Sequence, residues 1–179
     1  MSLDQDGPSP SPRRRRTIAV VALAAAVASA RRSPPIRLRP VELAFPTAPA
    51  DVVARFERKL LDSGKVERSL PGEYIGRFSG QAGPFSYDTR ELVRVEGTTI
   101  TFDHLEGPFR TCVERFGVRP DHGASKRSVV THEGTFTMRG GLAGWLLGIS
   151  VVRGLFERLV EREMHAMAAD ALRASAGAA

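Results

Sequence analysis

The spacing of apolar residues changes period twice along the chain, and the changes outline a fold. Leu38, Val41, Leu43 and Phe45 alternate imperfectly with polar neighbours, which predicts a strand over Ile36–Phe45. Pro46-Thr47-Ala48-Pro49 turns the chain. Val52, Val53, Phe56, Leu60 and Leu61 then recur at helical spacing, predicting a helix over Ala50–Ser63 that Gly64 stops. From Tyr74 the period becomes two. Strands are expected at Tyr74–Gly80, Phe85–Val95, Thr98–Leu105, Phe109–Arg119 and Ser128–Met138, with turns at Glu96-Gly97 and Gly107-Pro108. Gly140-Gly141 ends the sheet, and Leu142–Ala174 returns to helical spacing. Its stripe is Val152, Phe156, Leu159, Val160, Met167 and Ala171, with Arg158, Glu161, Arg162 and Asp170 on other faces. One sheet face must be buried, and the long amphipathic helix is the available cover. The expected class is α+β: a curved antiparallel sheet of about six or seven strands around a long C-terminal helix, within residues 36–176.

Strict alternation also sorts the polar residues of the strands. Phe85, Tyr87, Val93, Ile100, Phe102, Phe116, Val118, Val130, Phe136 and Met138 fall on one face, and that apolar majority turns the face inward. Glu91, His104, Glu114 and His132 share it. If Glu96-Gly97 forms the turn, Val95 pairs with Thr98, Glu91 with Phe102 and Thr89 with His104. The next strands then put His104 opposite Arg110, Phe102 opposite Cys112, Ile100 opposite Glu114, and Glu114 opposite His132. A carboxylate and an imidazole in an apolar interior can form a structural ion pair or an acid/base couple for a bound carbonyl or enol. A one-residue bulge would turn all four residues to solvent instead.

Charge separates the chain into two parts. Residues 1–39 carry eight arginines against Asp4 and Asp6, while residues 40–179 hold 18 basic and 18 acidic side chains. The net charge of +6 therefore sits in the N-terminal segment. A nucleic-acid-binding domain needs a basic face on its folded part, so no nucleic-acid partner is expected. Residues 1–35 read as a separate leader: a Pro/Ser-rich start, Arg13–Arg16, the uncharged run Thr17–Ala30, and a Ser33-Pro34-Pro35 linker. A fourteen-residue helix rises about 21 Å, short of the roughly 30 Å hydrocarbon core. The basic, apolar and small-residue succession resembles a secretory signal, and Arg15-Arg16 a twin-arginine pattern. Export, membrane contact through residues 17–30, and a simple flexible or helical leader all fit. Cytoplasmic and membrane-tethered locations both stay open, and oligomeric state is not legible.

Absent motifs narrow the chemistry. There is no GxGxxG, P-loop, GxSxG, HExxH or paired-cysteine pattern, so neither a cofactor nor a metal is expected. Cys112, the single cysteine, excludes an intrachain disulfide and reads as a small buried hydrophobe. Trp145, with Leu146 and Leu147, opens the last helix as a core anchor or as an apolar lip at a cavity entrance.

Two stretches resemble the START-like superfamily, also called the polyketide cyclase/dehydrase or SRPBCC group. Val41-Glu42-Leu43-Ala44-Phe45-Pro46-Thr47-Ala48-Pro49-Ala50-Asp51-Val52-Val53 is similar to its opening strand and helix start. Thr101-Phe102-Asp103-His104-Leu105-Glu106-Gly107-Pro108-Phe109 is similar to its central hairpin, and Arg115-Phe116-Gly117-Val118 then sits where such proteins often carry an aromatic residue on the next strand. The resemblance covers about 135 residues. It departs at Lys65–Gly72, where the superfamily often carries two tryptophans. It implies the helix-grip fold, with a hydrophobic small molecule (lipid, polyketide or aromatic) held between sheet and helix by a carrier or sensor. The ligand-binding candidates are Tyr87, Glu91, Phe102, His104, Glu114, Phe116, His132, Phe136, Trp145 and Phe156. The alternative is a cyclase or dehydratase using Glu114 and His132 as acid and base.

Overall fold

The structure is a computed structural model that describes residues 33–63, 65–122 and 124–176. The leader, including Thr17–Ala30, and Gly64 lie outside the described residues. Eight strands form one antiparallel sheet: β1 Ile36–Arg37, β2 Val41–Phe45, β3 Val66–Leu70, β4 Glu73–Ala82, β5 Phe85–Glu96, β6 Thr99–Glu106, β7 Phe109–Asp121 and β8 Ala124–Met138. Their order is β1-β8-β7-β6-β5-β4-β3, with β2 also on β8. The helices are α1 Pro49–Asp62, α2 Gly141–Leu147 and α3 Arg153–Ala176, the last two joined by a π-helical turn, Gly148–Val152. No helix among the described residues is long and apolar enough to cross a membrane.

The expected opening strand is split. Ile36 pairs with Phe136 and Val41 with His132, a one-residue offset between the two halves. Pro40 has no N–H to give a ladder there. Leu38 bridges the gap with its N–H on the Gly134 carbonyl at 2.9 Å, its side chain occupying the space a Cβ on Gly134 would need. Val66–Leu70 is a strand the sequence did not announce. Val66 alone in it is even partly buried, so this edge strand has no alternation to read.

Apolar contacts join the layers. Phe45, Val53, Val118, Val130, Val160, Met164 and Ala171 pack sheet, α1 and α3 together. A second group, Ile36, Leu38, Cys112, Phe136 and Met138, packs beneath Trp145, Val152 and Phe156. Burying a side chain such as Phe136, wholly enclosed here, stabilises by about 1.5–3 kcal/mol. A third group, Leu60, Tyr74, Val93 and Ile100, seats α1 on the sheet. There Tyr74 donates a 2.7 Å hydrogen bond to Glu57. The C-terminal helix is not one unbroken cylinder. Gly148 lies so close to Ile36 and Met138 that a Cβ would collide with both side chains, and the π turn begins at that contact.

Candidate functional site

Between the concave sheet face, α1 and α3 lies a cavity of about 540 Å³. Phe56, Leu60, Phe78, Phe102, Phe109, Phe116, Val152, Leu155, Phe156, Leu159 and Met167 make its walls predominantly apolar. Small residues leave the room. Gly80 faces the Tyr87 ring, and a Cβ there would meet the Tyr87 hydroxyl at 2.5 Å.

One wall is polar, and four strands build it. Pairing sets Glu91 opposite His104, Phe102 opposite Glu114 and Phe116 opposite His132. Each register differs by two residues from the expected one. The central turn residues are Gly97, at φ +60°, and Thr98, so Glu96 pairs with Thr99. A two-residue shift preserves side-chain parity, so the four polar residues keep the expected face. Glu114 now opposes Gly134, and His132 is its diagonal neighbour, within reach of long side chains.

The four groups form one network. His104 Nε2 lies 3.1 Å from Glu114 Oε1, and His132 Nε2 lies 3.0 Å from Glu114 Oε2. An ionised carboxylate can only accept, so both rings carry their proton on Nε2. Their Nδ1 atoms are buried without partners. Glu91 Oε1 is 3.4 Å from His104 Nε2 and 2.5 Å from Thr89 Oγ1, which is itself 3.2 Å from the Phe78 carbonyl. The single Thr89 hydroxyl proton cannot serve both acceptors. When Glu91 is protonated it donates to Thr89, which donates to Phe78.

The electrostatics divide the two carboxyls. Burial alone would raise Glu114, but hydrogen bonds from His104 and His132, with their charge, hold it below the ordinary carboxylate range. Burial raises Glu91, helped by the Glu114 charge and only partly opposed by His104 and Thr89. Burial would lower His104, yet its hydrogen bond to Glu114 and the charges of Glu91 and Glu114 raise it. The wall thus holds one ionised and one protonation-prone carboxyl on either side of an imidazole. It can donate or accept a proton at a ligand's oxygen. His104, Cys112 and Glu114 also bring their ligand atoms within 4.8 Å. A cation there would need the Cys112 thiolate, and burial, then the charges of Glu114 and Glu91, push that thiol upward. Both Glu114 oxygens are already engaged by imidazoles.

Of the ten expected binding residues, Tyr87, Glu91, Phe102, His104, Glu114, Phe116 and Phe156 line the cavity. His132, Phe136 and Trp145 do not. His132 lies behind Phe116, its ring 4.6 Å away, and reaches the cavity only through Glu114. Phe136 belongs to the core beneath α2, and Trp145 packs onto that core from α2 itself. The expected pairing of His104 with Arg110 does not form, because the shifted β6–β7 ladder ends at Asp103 and Val113, and on the β8 side a bulge interrupts β7 between Phe109 and Thr111. The bulge turns Arg110 outward and Phe109 inward, where Phe109 stacks on Phe156 and touches the His104 ring at 5.7 Å each. Strict alternation hides Phe109. Phe78 is missed too, although its place in the series Tyr74, Gly76, Phe78, Gly80 on one face of β4 could have shown it.

No protein-family profile matches this chain, and no curated protein matches its sequence. Its shape does have counterparts. A Thermus thermophilus protein superposes with a TM-score of 0.65 at 19% identity, over 79% of this chain and 99% of its own. The Zhui aromatase/cyclase from Streptomyces sp. R1128 gives 0.62 at 15%, over 78% and 95%. A START superfamily protein from Mycobacterium smegmatis gives 0.58 at 10%, over 77% and 99%. An eight-stranded antiparallel sheet closed on a long C-terminal helix, with these counterparts, is the START-like helix-grip fold, and that is the fold of this chain.

Proposed function

We propose that the protein binds a hydrophobic small molecule carrying at least one oxygen function, as a carrier or sensor. The observation that supports this reading is the cavity itself: about 540 Å³ of mainly aromatic and aliphatic wall with a buried polar corner at Glu91, His104 and Glu114, and charged residues such as Lys65, Arg162 and Glu163 elsewhere in the lining. A ligand's apolar body would lie against Phe102, Phe109 and Phe156. Its carbonyl or hydroxyl would face the polar corner, where leaving buried polar groups unmatched costs about 1–3 kcal/mol each. The reading is tested by titrating the full chain with Nile red, a neutral hydrophobic fluorophore with a carbonyl. Saturable binding, abolished when Leu159→Trp fills the cavity, is expected; binding indifferent to that substitution would reject it.

The buried proton-transfer groups favour a second reading, a cyclase or dehydratase. Its acid/base residues would be His104 and Glu114, with Glu91 as the protonated partner, since these line the cavity and His132 stands behind them. Retained ligand binding with no product from poly-β-carbonyl substrates would leave the carrier reading alone.

A further inference from the structure

A second pocket, of about 190 Å³, opens beside the first, between the start of α1, the sheet and the end of α3. Phe56, Lys59, Phe116 and Met167 border both spaces and lie between them. The partition is stiffened by edge-on contacts of Phe102 with Phe56 and with Phe116, each at 5.7 Å between ring centres.

Two polar atoms of this second pocket lack partners. Arg55 Nε and Thr47 Oγ1 are buried there without a hydrogen bond. No ion pair engages Arg55 among the described residues. Arg55 is half-buried, and its Nε is a buried donor left unmatched beside a mainly apolar lining of Phe45, Val52, Val118 and Val130, a cost that a bound anionic acceptor would remove. Lys59 adds a second positive charge to the lining. Asp170, the one acidic lining residue, is already engaged by Arg173 one turn on.

We infer that this pocket is a second ligand site, for a small amphipathic carboxylate whose anionic end is held by Arg55 and Thr47. A guanidinium and a hydroxyl offer the donors that a carboxylate accepts, and charge-assisted bonds of this kind are the strong ones. The volume equals roughly six waters at about 30 Å³ each, which suits a short acyl chain or one aromatic ring. The site stands apart from the main cavity and does not depend on what that cavity binds.

The test uses the full chain, methyl-labelled at valine and leucine, titrated with octanoate and with neutral octan-1-ol. Octanoate is expected to shift the methyl signals of Val118 and Val130, which line only this pocket, before those of Leu155 and Leu159, which line only the main cavity. Arg55→Met is expected to weaken octanoate about tenfold or more and octanol less than about twofold, the selectivity of a charged hydrogen bond. Thr47→Val is expected to weaken octanoate more modestly. Because Arg55→Met removes a half-buried charge that lacks a partner, its melting temperature should hold or rise. Octanoate shifting only Leu155 and Leu159, equal losses for acid and alcohol, or no octanoate binding at millimolar concentration would each overturn the inference. Failure of neutral ligands in the main cavity would not.

Discussion

Replacing His132 by alanine tests the polar wall at its most buried member. The residue is about 1% exposed, its ring lies tilted against Phe116 at 4.6 Å, and it donates to Glu114 Oε2 at 3.0 Å. His132→Ala removes that donor and leaves a buried carboxylate oxygen facing an apolar void. Breaking a buried pair on one side costs about 3–5 kcal/mol. For a domain of this size each kcal/mol moves the melting temperature by roughly 2–4 °C, so a drop of about 6–20 °C is expected. The double variant Glu114→Gln with His132→Phe removes the charge and refills the space. The amide of the new glutamine can still hydrogen-bond His104, and exchanging a buried ion pair for well-packed neutral groups is often close to neutral. The cost of the double variant should therefore stay below about 2 kcal/mol. The assay is urea unfolding followed by circular dichroism, with the slope checked for constancy. A His132→Ala cost under about 1 kcal/mol, typical of surface sites, would refute the buried pair. Equal costs for the two variants would show that neither the unpaired charge nor the lost volume sets the cost, and would refute the reasoning as well.

Stability should also depend on pH in a signed way. His104 is raised above 6.5, so its contribution is complete below that pH and is lost as pH rises through its folded value; His104→Gln should flatten that limb of a melting-temperature profile. Glu114 is lowered below 4.5, so its contribution holds above 4.5 and is lost as acid titrates its folded value, which Glu114→Gln should remove. Gly144→Ala would drive a Cβ into the Arg139 carbonyl oxygen, a backbone clash costing about 1–3 kcal/mol and visible as early melting. Gly97→Ala has open space but a φ of +60°, so its cost should be about 1–2 kcal/mol from backbone strain alone, measured by urea unfolding.

What the sequence disclosed followed the strength of its periodicity. Strands β4 to β8 and the cover helix alternate or recur clearly, and parity alone placed Glu91, His104, Glu114 and His132 on the concave face. Parity survives a two-residue register error, which is why Glu114 and His132 meet although the pairing expected between them does not exist. Features without a periodic trace were hidden. Leu70 in β3 is exposed, the bulge at Arg110 trades one residue for its neighbour, and the π turn follows from the packing of Gly148 against Ile36 and Met138. Depth was hidden as well: His132 and Phe136 face the same way as Glu114, but Phe116 and the core beneath α2 stand between them and the cavity. The second pocket had no sequence signal, because Arg55 reads as one more polar position on an amphipathic helix.

The proposed role as a binder of hydrophobic molecules meets its most direct test in native mass spectrometry of the full chain purified from its own host. A bound small organic molecule is expected, absent from the Leu159→Trp variant prepared in parallel, with an apolar body and an oxygen function once extracted. A bare protein mass, together with no uptake of Nile red by that same sample, would contradict it.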